Sequence, residues 1–124
     1  MPVQFSKAAV IEKNQTAIEA CTQSIERLDN IVGLSVAKEQ KRIIQRSNAV
    51  NERTNLRQVN AHLKAAGTTV RPMADKLADE LNELGNRLDQ LIRDDLIANA
   101  TIDFITSVLT DAAKIRAITD AHKA

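Results

Sequence analysis

Eleven residues from Leu77 to Ala112 follow one another at alternating intervals of four and three: Leu77, Leu81, Leu84, Leu88, Leu91, Asp95, Ala98, Ile102, Ile105, Leu109 and Ala112. Ten of them are apolar. Side chains at that spacing share one stripe of an α-helix and would be scattered over both faces of a strand. A seam held for five heptads predicts a coiled-coil-like helix, and a lone helix of that kind must pack its stripe against another.

The preceding half of the chain supplies such a helix. Ile11, Ile18, Ile25 and Val32 recur by seven, with Asn14, Cys21, Leu28 and Ser35 as the companion positions. The phase then slips by four, and Val36, Ile43 and Val50 take over the repeat. A slip of four unwinds a supercoil locally without ending a helix, so a kink at Gly33 is expected there. Only Ala65–Pro72 gathers several turn signals. Gly67 suits a helix C-terminus, Thr68 or Thr69 can cap the next helix, and Pro72 is tolerated in a first turn.

The expectation is a single all-α domain spanning residues 1–124. Arm one covers about 6–66, a turn about 67–71, and arm two about 72–122. Continuous arms of that length would run roughly 75–90 Å. The predicted architecture is a long antiparallel helical hairpin, coiled-coil-like, that completes a helical bundle by self-association. The alternative, a compact four-helix bundle, needs true turns near Gly33 and Asp94–Asp95. Composition agrees with long helices: three Gly, two Pro, and only Phe5 and Phe104 as aromatics.

Charge suggests an orientation. Residues 38–66 hold seven basic side chains against Glu39 and Glu52, a net of +5. Residues 75–95 hold seven acids against Lys76, Arg87 and Arg93, a net of −4. Folding the chain about residues 67–71 would lay one block along the other. Asp95 then falls level with Arg42, or with Arg46 one turn away. Because the seven-residue phase is the same on both sides of Asp95, a continuous helix is expected, with Asp95 paired to Arg42 or Arg46 as a register device in the seam.

Two helices bury one face each, and this chain has apolar side chains to spare near the open end of the hairpin. Val10, Ile31 and Leu34 in arm one, with Leu96, Ile97, Phe104, Val108, Ile115 and Ile118 in arm two, lie outside the seams. They form the candidate interaction surface.

The residues that carry chemistry point elsewhere than to an enzyme. Cys21 sits in a seam and reads as a small buried hydrophobe. His62 and His122 lack the Glu-x-x-His or His-x-x-x-His spacing of helical metal sites and read as solvent-exposed. No nucleophile–base set, Gly-rich phosphate loop or other small-molecule site is evident, so no catalytic residue, cofactor or metal is assigned. The net charge of +1 and the absence of an aromatic among the basic residues argue against nucleic acid as a partner. Balanced charge around Phe104–Ile118 makes a membrane partner less favoured than helix packing.

These features lead to an expected non-enzymatic, structural protein: a helical interaction or self-assembly subunit of scaffold, adaptor or filament type. Its partner would be itself, as a homo-oligomer, or another helical protein. Without an apolar signal-like segment in MPVQFSKAAVIEK, a cytoplasmic location is expected, with export lacking a cleaved signal as the alternative. The alternative function is a secreted or membrane-acting amphipathic helical protein of a bacterial secretion or toxin system.

Overall fold

The computed structural model describes residues 2–124. It contains four α-helices: α1 (Lys7–Asn30), α2 (Val36–Lys64), α3 (Asp75–Arg93) and α4 (Ile102–His122), with a single 3-10 turn, Ile97–Asn99, ahead of α4. The all-helical class is as expected. Of the two arrangements the sequence allowed, the structure takes the compact bundle, and neither arm is a continuous helix.

The two breaks have identifiable causes. Gly33 adopts φ +75°, a left-handed conformation that glycine tolerates without steric penalty, and Ser35 restarts the helix by accepting Lys38 N–H. The expected kink is therefore a full break. At the second break Asp95 is left-handed, with φ +55°. Its N–H donates to Ile92 O at 3.2 Å and Leu96 N–H donates to Leu91 O at 3.0 Å. Those two bonds make a Schellman motif, in which Asp95 holds the position usually given to Gly or Asn. Thr101 then caps α4, accepting Phe104 N–H at 3.1 Å.

Asp95 is accordingly exposed in a turn, and its side chain has no hydrogen bond or ion pair among the described residues. The expected register pair does not form. Arg42 instead binds Glu39 one turn away, and Arg46 binds Asp29 through Nε–Oδ1 at 2.6 Å and Nη2–Oδ2 at 3.3 Å. Both guanidiniums are taken by carboxylates of α1 and α2.

The connection between α2 and α3 is also longer than the expected turn, covering residues 65–74. Gly67 is left-handed as foreseen, but Pro72 stays outside the helix. Neither Thr68 nor Thr69 caps α3, whose N-cap position is Ala74 with no side-chain bond. The segment is stitched to both ends of the chain. Val3 and Met73 exchange backbone bonds of 2.6 and 2.9 Å, as do Thr69 and Ala124 at 2.9 and 2.8 Å. Met73 is fully buried beneath them.

Helix packing explains why α4 is apolar on more than one side. α1 and α4 pack on each other, and each touches both α2 and α3, while α2 and α3 share almost no contact. Four rods in that relation form a rhombus with α1 and α4 across its short diagonal. Two broad apolar faces are needed on the central helices, and α4 supplies Ile102, Ile105, Val108, Leu109, Ala112, Ile115 and Ile118. The basic block of α2 and the acidic block of α3 consequently sit at opposite corners, contrary to the expected pairing. Exposed ion pairs are worth little each. Burial of the central apolar helices outweighs them.

Candidate interaction surface

α2 changes character halfway along its length. Its lower half buries Ala49, Glu52, Leu56, Val59, Asn60 and Leu63. Continued upward at the same spacing, that stripe carries Gln45, Arg42 and Glu39, which are only half-buried. The apolar residues of the upper half lie on other faces. Val36 is 79% exposed, Ile43 55% and Ile44 58%, and Val32 in the preceding linker is 87% exposed. Four large aliphatic side chains at one end of a small bundle make an apolar patch left uncovered by the described residues.

Beside this patch a groove of about 400 Å³ opens between the α1–α2 linker and the start of α4. Ile31, Val32, Leu34 and Ile102 supply its apolar wall, while Arg27, Lys38, Lys41 and Asp103 form a charged rim. Arg27 also donates from Nε to Ala100 O at 2.8 Å, which ties α1 to the strap before α4. Ile97, fully buried, anchors the same strap in the core. The groove floor is thereby fixed to the bundle, while Leu96 and Phe104 on the strap and first turn of α4 are 50% and 39% exposed.

Most of the expected interaction surface is used internally. Val10, Ile97, Val108, Ile115 and Ile118 are buried, because the rhombic packing gives α4 and α1 more than one neighbour. Ile31 and Leu34 are half-buried against the core, and only Leu96 and Phe104 remain exposed. Sequence reasoning placed Val32, Val36 and Ile43 in a buried seam and missed Ile44. A signal was present in the four-residue slip, where the apolar residues leave a stripe whose next positions are Ser35 and Arg42.

A second polar feature lies deeper. Asn14 on α1 donates from Nδ2 to Asn60 Oδ1 on α2 at 2.9 Å, and its Oδ1 accepts from the Thr119 hydroxyl of α4 at 3.0 Å. Asn60 Nδ2 in turn donates to Ile11 O at 3.2 Å. All three residues are buried. A slip of any one helix along the others would strand these groups, so the cluster sets the relative height of α1, α2 and α4. Asn14 stood visibly in an apolar repeat; Asn60 and Thr119 carried no comparable sign.

Among the remaining chemistry-bearing side chains, Cys21 is buried, and desolvation, reinforced by Glu52, pushes its thiol up to about 12. That protonated state makes it a poor nucleophile. Glu52 is held by Arg116, Nε–Oε2 2.6 Å, and Arg87 binds Asp111 in a bidentate pair at 2.8 and 2.9 Å. His62 is exposed; His122 is half-buried, its Nδ1 2.7 Å from Ile118 O. No group of three or more His, Cys, Asp or Glu side chains able to hold a metal ion occurs among the described residues. Nor does any helix among them have the length and apolarity to cross a membrane. Comparisons with protein-family models, with curated protein sequences and with solved structures returned no match to this chain.

Proposed function

We propose that this protein is a non-enzymatic helical interaction subunit that self-associates through the apolar surface at the α1–α2 end of its bundle. The observation that carries this reading is the exposure of Val32, Val36, Ile43 and Ile44 together, in a molecule whose remaining large aliphatic side chains are mostly packed. Water contact at such a patch is costly, and association removes it. Full burial of one Val or Ile is worth about 1.5–3 kcal/mol, so the four partly exposed ones of each of two copies supply together a gross of about 10 kcal/mol. Lost translational and rotational freedom takes back about 4 kcal/mol or more. The balance favours a weak association that concentration controls rather than a permanent dimer.

The test compares the wild-type chain with Ile43→Glu/Ile44→Glu by sedimentation velocity from low to high micromolar concentration. Both side chains point outward, so the double variant should keep its helical circular dichroism and melting temperature. Wild-type sedimentation should shift with concentration while the variant stays monomeric. A wild-type chain that is monomeric throughout, or a variant that associates equally well, would overturn the reading. Binding of the wild-type chain to anionic lipid vesicles, lost in the same variant, would transfer the surface to a membrane partner instead.

A further inference from the structure

We infer that the partner at this surface is a second copy of the chain, engaged by exchange. Both breaks open into continuous helix, and α1 and α4 of each copy pack on α2 and α3 of the other. This rests on the self-association reading and specifies its geometry.

Three observations converge on it. First, residues 31–35 and 94–101 lie at the same end of the bundle, so both can open together while α1 and α4 stay packed as a pair. Every helix–helix contact of the bundle can then be remade between copies, including the backbone bonds of residues 69–73 to the chain ends, while the packing of Ile97 and the Arg27–Ala100 bond of the strap are given up. Exchange of identical elements is a low-cost route to a dimer for that reason.

Second, one position of the repeat is buried on both sides of each break, although its members within the breaks, Ser35 and Ala98, are exposed. Leu28 at the end of α1 and Ala49 in α2 are three heptads apart, and both are fully buried. Leu84 in α3 and Ile105 in α4 stand in the same relation, and both are buried. A helix that ran straight through would therefore keep this position on one inward face.

Third, the exposed apolar side chains fall where the opened helix would be covered. Asp29 faces Arg46, so α2 from Val36 to about Ile44 extends past the end of α1. In the exchanged dimer that overhang lies antiparallel to the same segment of the second copy. Val32 then joins the heptad position of Ile18 and Ile25, and Val36 and Ile43 join that of Val50; in the monomer these earlier members pack on the core. Lys38 and Lys41 would repel across the two-fold axis, but Asp94, Asp95 and Asp103 at the same end of the bundle supply opposite charge.

The energetic balance is close by construction. Opening gives up the Ser35 and Thr101 caps and the Schellman bonds, and releases the left-handed strain at Asp95. Because the helix–helix contacts are the same in both forms, protein concentration selects between them.

Hydrogen exchange with mass spectrometry on the full chain, before and after incubation at high micromolar concentration, tests the mechanism. The expected result is a species of twice the monomer mass in which the amides of residues 32–35 and 95–99 are slowed. It should persist for hours after dilution, because return requires the helix pairs to separate. Gly33→Ala/Asp95→Ala, which disfavours the left-handed turn at Gly33 and enters helix readily at both sites, should raise the dimerisation constant about tenfold or more. A dimer with fast-exchanging hinge amides and immediate dissociation on dilution overturns exchange and leaves surface docking intact. A monomer at every concentration, in the wild type and the variant alike, overturns both.

Discussion

Asn60→Ala is the substitution that most directly probes what holds three of the four helices in register. It removes the acceptor of Asn14 Nδ2, a 2.9 Å bond, and a 3.2 Å bond to Ile11 O. Asn14 is fully buried, so no water replaces the lost partner. A buried donor left unpaired costs about 1–3 kcal/mol. The vacated side-chain volume adds roughly 1 kcal/mol, and the better helix propensity of Ala returns about 0.5 kcal/mol. The expected loss is about 2–3 kcal/mol. With a urea m-value near 1.5–2 kcal/mol/M, the midpoint should fall by roughly 1–2 M. The companion experiment replaces the whole cluster, Asn14→Leu/Asn60→Ala/Thr119→Val, which strands no polar group. That variant should lie within about 1 kcal/mol of the wild type, and its less uniquely specified register should broaden its amide spectrum. Urea unfolding followed by circular dichroism measures both. A single variant that loses less than about 0.5 kcal/mol, the range of ordinary surface changes, would refute the argument. So would a triple variant as damaged as the sum of its parts.

Three further outcomes follow from the same geometry. The Cys21 thiol is raised from its ordinary value to about 12, so the folded state holds its proton more tightly than the unfolded chain does. Its contribution to stability is complete below about pH 9 and is lost as the pH rises towards about 12; the difference in urea stability between the wild type and Cys21→Ala should show that slope, and thiol labelling at pH 8 should track global unfolding. Asp29 is held below the usual carboxylate range, first by its hydrogen bond from Arg46, so its contribution is present above about pH 4 and lost as the pH falls through the depressed value; in Arg46→Gln an NMR titration should place Asp29 back in the ordinary range. Asp95→Gly should stabilise the monomer by about 1 kcal/mol, since glycine adopts φ +55° without strain, whereas Asp95→Val should destabilise it by more than that; thermal melts at low concentration decide.

Asp95 also marks where sequence reasoning succeeded and where it stopped. The seven-residue repeats identified the buried stripe well: Leu81, Leu84, Leu88, Ile102, Ile105, Leu109 and Ala112 all lie inside. Phase alone, however, is silent on whether a helix continues, because a broken helix that folds back can bury the same positions. The breaks were written in smaller marks, namely Gly33 ahead of Ser35, and Asp95 between Leu91 and Thr101. Each is a cap only if the chain actually turns there. Charge misled in a different way. The blocks on α2 and α3 are of opposite sign and adjoin one connection, but α1 and α4 have the wider apolar faces and take the centre. Once α4 is central, its surplus apolar residues no longer need an outside partner. The unpartnered surface moves to Val36, Ile43 and Ile44, where the stripe of α2 turns polar.

Small-angle scattering, with mass and radius of gyration read together across a concentration series, separates a self-associating compact bundle from a permanent monomer and from a rod. At low micromolar concentration the expected result is a 13.6 kDa particle with a radius of gyration of about 14 Å, that of a compact bundle of this length. At high micromolar concentration the mass should double and the radius grow, with both changes suppressed by Ile43→Glu/Ile44→Glu. A particle that keeps the monomer mass throughout would contradict self-association through this end of the bundle, and a rod-like monomer at low concentration would contradict the bundle itself.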